Sequence, residues 1–224
     1  MKSLRIENLK KYYGRGENIT KAVDGITLEI EKSKFTAVVG TSGSGKSTLL
    51  HCMAGLDKPT SGNVYLDRKD IYKLGDEKLS KIRRQEFGFI FQSFNLIPVL
   101  SVYDNIVLPI ELDGKKADRK YIMDIINKVG LEKQINKYPD ELSGGQQQRV
   151  AVARALANKP SIIFADEPTG NLDSKTTKEV MELLKKMVQE YKHTLVMITH
   201  DEKIAEEADR IILIKDGRVV ENNI

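Results

Sequence analysis

At 224 residues the chain is long enough for one sizeable core with room for a subdomain, and a composition 40% hydrophobic and 30% charged excludes disordered and fibrous classes. The net charge of +4 is mild, the balance of a solvated surface with scattered lysines, and the single cysteine, Cys52, excludes an internal disulfide framework and fits a reducing compartment. No stretch approaches the roughly 18–20 apolar residues of a membrane helix, and the start, Met1 to Arg5, lacks the apolar region of a secretory signal.

In chain order, Leu4–Leu9 and Ile26–Ile30 alternate as strands, and Phe35–Val39 is an apolar run ending in glycines, the pattern of a buried strand. A helix is predicted from Lys46 to about Gly55, broken by Lys58-Pro59-Thr60-Ser61-Gly62. After a strand at Phe87–Phe91, helical patterns follow near 102–112, 118–129 and 146–158. Then come a strand at Ile162–Ala165, a helix over 174–190, a strand at Thr194–Ile198 and a hairpin turning at Asp216-Gly217. Strands alternating with helices predict an α/β fold around a largely parallel sheet. On this reading, residues 93–158 form a helical subdomain inserted into a nucleotide-binding core made of 1–92 and 159–224.

Gly40-Thr41-Ser42-Gly43-Ser44-Gly45-Lys46-Ser47 is a phosphate-binding loop with a strand before it and a helix after it. Glycines let the backbone curl so that successive N–H groups face phosphate oxygens, and the helix adds the positive end of its dipole. Lys46 supplies a full charge to the β- and γ-phosphates, and the Ser47 hydroxyl is suited to Mg²⁺. The expected ATP-binding residues are therefore Gly40, Ser42, Gly43, Ser44, Gly45, Lys46, Ser47 and Thr48. Further on, Ser161–Glu167 delivers two carboxylates at a strand's carboxyl end, the edge at which open α/β sheets bind ligands. Asp166 is suited to the metal, and Glu167, turned elsewhere by strand alternation, to accepting a proton from water.

A second anion-binding segment, Leu142-Ser143-Gly144-Gly145-Gln146, opens the helix after it, and reads equally as a plain helix cap. One ATP does not need two such helix termini from one chain. The segment resembles the ABC signature motif, and its place between a Walker A loop and a Walker B strand is similar to the order in the ABC transporter ATPases, a resemblance that spans essentially the whole chain. It implies a P-loop NTPase (RecA-like) core with a mainly parallel sheet, an N-terminal antiparallel β region and an inserted α-helical subdomain. It also implies ATP and Mg²⁺ as cofactors and an ATP-dependent head-to-tail homodimer. In that dimer Ser143, Gly144, Gly145 and Gln146 of one copy meet the ATP held by the other.

By the same resemblance Gln92 is the Q-loop glutamine, a metal- and water-sensing group, Asp173 belongs to the D-loop, and His200 is the switch histidine. Tyr13 resembles the aromatic that stacks on adenine, with the neighbouring Tyr12 as a rival. Leu56–Gly62, Phe87–Gln92, Gln146–Arg149 and Asp166–Ser174 are similar to the macrolide-exporter and lipoprotein-release branch (MacB- and LolD-like), with antimicrobial-peptide resistance transporters close by. The resemblance implies a peripheral ATPase at the cytoplasmic face of the membrane, driving a separate transmembrane permease, with no nucleic acid partner. A cell-division-type ATPase that signals without transport shares every one of these residues. A chromosome-organising ATPase would need sustained heptads between Lys46 and Asp166, which the sequence lacks.

Overall fold

The computed structural model describes residues 4–16 and 18–220. They divide into two units: one formed by the chain up to Arg83 together with the chain from Thr194, the other by Arg84–His193.

In the first unit, β1 (Leu4–Tyr13) and β2 (Thr20–Ile30) run antiparallel, and β4 (Ser61–Leu66) and β5 (Lys69–Asp70) extend the sheet in the order β2-β1-β4-β5. Leu4, Ile6 and Leu9 on β1 and Ile26 and Ile30 on β2 are buried while their neighbours face solvent, the pattern of a sheet with one covered face. Against it stand the parallel strands β3 (Phe35–Val39), β8 (Thr194–Ile198) and β9 (Arg210–Lys215), with β10 (Arg218–Val220) returning antiparallel to β9. β8 is buried at every position, as a strand covered on both faces must be. Helix α1 (Lys46–Met53) follows β3 and buries Leu49, Leu50, Cys52 and Met53. The short α7 (Glu202–Glu206) follows β8 and is capped by Asp201. Burial pushes the Cys52 thiol up to about 12, so it is a core side chain and not a nucleophile.

In the second unit β6 (Phe87–Phe91) and β7 (Ile162–Asp166) pair in parallel. Phe87 meets Phe164 edge-on at 5.2 Å. Helices α3 (Val102–Glu111), α4 (Arg119–Lys128), α5 (Gly144–Leu156) and α6 (Ser174–Glu190) make up most of the rest. Each begins on a side-chain cap: Ser101, Asp118, Ser143 and Asp173 accept from first-turn amides. On α6, Val180, Met181, Leu184, Met187 and Val188 recur at helical spacing and are buried.

The mixed α/β fold with a parallel sheet and an N-terminal antiparallel sheet is the one expected from the sequence. Helix α2 (Asp76–Glu86) was not anticipated, because only Leu79 on it is buried and it shows no apolar stripe. Strands β4 and β5 were also missed, because the Pro59–Gly62 punctuation reads as a loop although β4 begins within it.

Candidate active site

In the first unit, β3 and β8 lie in parallel register, Val38 opposite Ile198, so the loop after β3 and His200 after β8 leave the same carboxyl edge. The loop from Gly40 wraps toward α1, whose N-cap is Gly45 in the left-handed region at φ 100°. A β-carbon at position 45 would lie 1.9 Å from the Ala22 carbonyl oxygen, so no other residue fits. No acidic side chain stands in the first turn of α1 and none caps it, which leaves the positive helix end for an anion. Lys46 folds over the loop, its ammonium donating to the Gly40 carbonyl at 2.9 Å and the Thr41 carbonyl at 2.8 Å. The Ser44 hydroxyl is buried without a hydrogen-bond partner among the described residues. An unmatched buried hydroxyl beside a buried lysine and an open helix end fits a phosphate chain.

The two tyrosines are in different situations. The Tyr12 phenol donates to the Asp24 carboxylate, which also receives Arg218 at 2.8 Å. Those two bonds, Tyr12's first, hold the Asp24 carboxyl down at about 2. Tyr13 is 43% exposed, and its phenol donates to Asp57 at 2.6 Å with Lys11 4.9 Å from the ring centre. Burial raises the Tyr13 phenol, as does the bond to Asp57, while a bond with Thr48 at the start of α1 opposes both. Burial pushes Asp57 up too, but bonds from Lys11 and Tyr13 outweigh it and leave the carboxyl below the usual range. Both hydroxyls are committed, Tyr12's to Asp24 and Tyr13's to Asp57, and Tyr13 is the more exposed ring and the one that interacts with Thr48.

In the second unit, Phe91 on β6 pairs with Asp166 on β7, so Gln92 and Glu167 follow adjacent strands at one edge. Asp166 ends the strand, and Glu167 stands at φ 46°. Glu167 therefore lies beyond the strand, in a left-handed turn, where the alternation of strand side chains does not apply. Such a backbone is costly for a side chain other than glycine, and it is common where a catalytic group must be aimed. The turn closes as Gly170 N–H donates to the Glu167 carbonyl at 3.0 Å. Asp173 caps α6 through the Lys175 and Thr176 amides, and the Thr176 hydroxyl at 2.6 Å, its largest influence, draws its carboxyl below the ordinary range.

Ser143 closes a capping box at α5: its hydroxyl accepts from Gln146 N–H at 3.3 Å, and its own N–H donates to Gln146 Oε1 at 3.0 Å. Gly144 and Gly145 form the first turn of α5, two residues earlier than the sequence placed it. Three further residues of the second unit make long-range hydrogen bonds that the sequence did not announce, although Asn171 itself stands in the segment that resembles the D-loop. Asn171 exchanges bonds with Gln92, its Oδ1 accepting from the side-chain amide at 3.3 Å and its Nδ2 donating to the Gln92 carbonyl at 3.1 Å. Buried Gln148 donates to the Pro168 carbonyl, and Arg154 donates to the Phe94 and Asn95 carbonyls. All three bind backbone carbonyls far away in sequence, which no local pattern announces. In the first unit Ser47 offers a hydroxyl, and in the second Gln92 offers an amide oxygen and Asp166 a carboxylate, each by itself an oxygen donor of the kind Mg²⁺ takes.

The sequence model of the family described as "ABC transporter" matches residues 23–170. The chain is 47% identical over 223 residues to the uncharacterized ABC transporter ATP-binding protein MJ0796 of Methanocaldococcus jannaschii, covering 96% of this chain and 94% of that one. A dimeric structure of that cassette in a post-hydrolysis state, bound to ADP and Pi, superposes with a TM-score of 0.88 at 45% identity over 97% of each chain. The chain is 41% identical over 216 residues to the lipoprotein-releasing system ATP-binding protein LolD of Shewanella frigidimarina, covering 96% and 90% of the two. It is 44% identical over 224 residues to the macrolide export ATP-binding/permease protein MacB of Mannheimia succiniciproducens, covering 99% of this chain but only 35% of that much longer protein. Among the described residues no helix is long and apolar enough to cross a membrane.

Proposed function

The chain belongs to the ABC transporter family as an ATP-binding subunit, an ABC ATPase, and from that premise we propose that it works as a head-to-tail homodimer closing around two ATP molecules. The dimer drives a separate transmembrane permease from the cytoplasmic face of the membrane, for export or extraction of a substrate of the drug, peptide or lipoprotein class. The observation that carries this reading is the pair of helix N-termini in one chain, α1 open and α5 capped by Ser143. A head-to-tail pair gives each a nucleotide: the Gly40–Thr48 loop of one copy and the Ser143–Gln146 turn of the other. The dimeric, ADP- and Pi-bound form of the MJ0796 cassette supports the arrangement, and the MacB and LolD relatives support the substrate class.

In the reaction Lys46 and the amides of the loop bind and orient the phosphates, and Tyr13 stacks on the adenine. A Glu167 carboxylate oxygen takes a proton from the attacking water as that water's oxygen bonds to the γ-phosphorus, and ADP departs with the electrons of the broken P–O bond. His200 donates to a γ-phosphate oxygen, Gln92 holds the attacking water, and Asp173 faces the partner copy. Ser47, Asp166 and Gln92 would hold Mg²⁺, which when bound offsets the charge on the phosphates.

Glu167→Gln tests the assignment. It keeps the shape and removes the base, so nucleotide affinity stays, turnover falls by about 10²–10⁴, and an ATP-bound dimer accumulates in size-exclusion chromatography. Hydrolysis at the native rate would remove Glu167 from the role.

A further inference from the structure

The phosphate loop does not stand alone: the C-terminal hairpin lies behind it. A β-carbon on Gly40 would meet the Ile214 carbonyl oxygen of β9 at 2.2 Å, so the first residue of the loop rests on that strand. At the other end of the loop the Gly217 N–H donates to the Ser44 carbonyl at 3.0 Å. The Gly217 carbonyl in turn accepts from Asp24 N–H on β2 at 2.8 Å, so one residue of the turn bridges loop and sheet. Gly217 has φ 73°, and a β-carbon there would lie 2.8 Å from the Lys21 carbonyl oxygen, which explains why the bridge is glycine.

The geometry points to a positioning role for the Asp24–Arg218 pair, which fixes the Asp216-Gly217 turn and thereby pre-orients the phosphate loop for nucleotide. The link is the planar peptide between Ser44 and Gly45. In a trans peptide the C=O and the following N–H point in opposite directions. Holding the Ser44 carbonyl toward the hairpin therefore aims the Gly45 amide away from it, into the hollow of the loop. That hydrogen bond is a handle on a phosphate-facing donor. Arg218 follows Gly217 directly and is tied to Asp24, whose own amide holds the Gly217 carbonyl, and Tyr12 holds the second oxygen of the same carboxylate. Side chain and backbone thus close a ring around the turn. Without it the loop must be ordered at the moment of binding, at a cost to affinity.

The inference rests on the reading that residues 40–48 hold the phosphates, and the experiment separates the two. ATP and ADP affinity and steady-state ATPase kinetics are measured for the full chain carrying Arg218→Ala, Arg218→Lys, Asp24→Asn, the Asp24→Asn/Arg218→Ala pair, or Lys46→Ala. For Arg218→Ala and Asp24→Asn the expected result is a loss of about fivefold in affinity, the worth of one hydrogen bond. The loss is equal for ATP and ADP, KM rises by the same factor and kcat at saturating ATP is unchanged. Arg218→Lys restores most of the affinity, and the double variant loses no more than either single one. Arg218 is largely exposed, so its removal leaves the fold in place. A lower melting temperature with unchanged affinity and KM would reduce the pair to a structural role and overturn the inference. So would a fall in kcat with KM unaltered, or additive losses in the double variant. If Lys46→Ala also left affinity intact, the phosphate-loop reading itself would fall, and this inference with it.

Discussion

Helices α1 and α5 both start at glycines, and their N-termini are built in opposite ways. The start of α1 has a glycine at the N-cap in a left-handed conformation, no capping side chain and no acid in its first turn. The start of α5 is self-sufficient: Ser143 and Gln146 exchange hydrogen bonds between side chain and backbone. An unfilled helix end is a standing site, whereas a capped one is complete before any ligand arrives. The difference implies an order of events. In the proposed homodimer nucleotide meets α1 first, in the single chain, and the α5 end engages only when a partner brings it to an occupied loop. Gly45 and Ser143 are the residues on which that contrast depends.

The largest expected effect comes from closing the open end. Gly45→Ala puts a β-carbon 1.9 Å from the Ala22 carbonyl oxygen and forces alanine into φ 100°. Strain of this kind costs on the order of 1–3 kcal/mol before the clash is counted, so a loss of ADP affinity of at least a hundredfold is expected in a titration of the single chain. Native affinity in that variant would show that the loop relaxes freely and that the contrast with α5 is only apparent.

A smaller effect is expected at α5. Ser143→Ala removes the cap and should lower stability by about 1 kcal/mol in denaturant unfolding, leaving ADP binding by the single chain unchanged. Ser143→Arg adds bulk and charge at the same point and should block hydrolysis while the single chain still binds nucleotide. Equal loss of nucleotide affinity in the single chain would assign Ser143 to its own chain's loop and erase the proposed order.

The sequence made the α1 site legible because its chemistry is local. Gly40 to Ser47 contains its turn, its charge and its helix start within one short stretch, so spacing alone carries the reading. The signature segment was only half legible. Serine and paired glycines announce a helix start, but whether that start serves an anion or simply caps a helix is not written in five residues. In the second unit, Asn171, Gln148 and Arg154 act on carbonyls more than fifteen positions away in sequence, where pattern has no reach. The strand alternation invoked for Asp166 and Glu167 stops at Asp166, since Glu167 turns left-handed, and backbone dihedrals are invisible in sequence. Helix α2 was missed for the opposite reason, being polar on nearly every face. In β1, register shifts near Asn8 and Lys10 interrupt the alternation, so the strand reads shorter than its ten residues.

The smallest effect concerns what stands behind the open loop. Asp24 on β2 is faced by Tyr12 from β1, Arg218 from β10 and Lys21 from its own strand, and its carboxyl is held at about 2. An unfolded aspartate titrates near 4, so the folded state favours the ionised form and gains stability from it. That gain is complete above about pH 4 and disappears as the pH falls through the folded value. Asp24→Asn cannot ionise and never has it. The melting temperatures of the native chain and of Asp24→Asn should therefore differ by a constant amount from neutrality down to about pH 4 and converge between pH 4 and 2. A difference that persists undiminished at pH 2 would mean that the carboxylate's charge contributes nothing and that shape alone holds the turn. The loop would then be supported by packing, and the open helix end would owe its geometry to its glycines without help from the ion pair behind them.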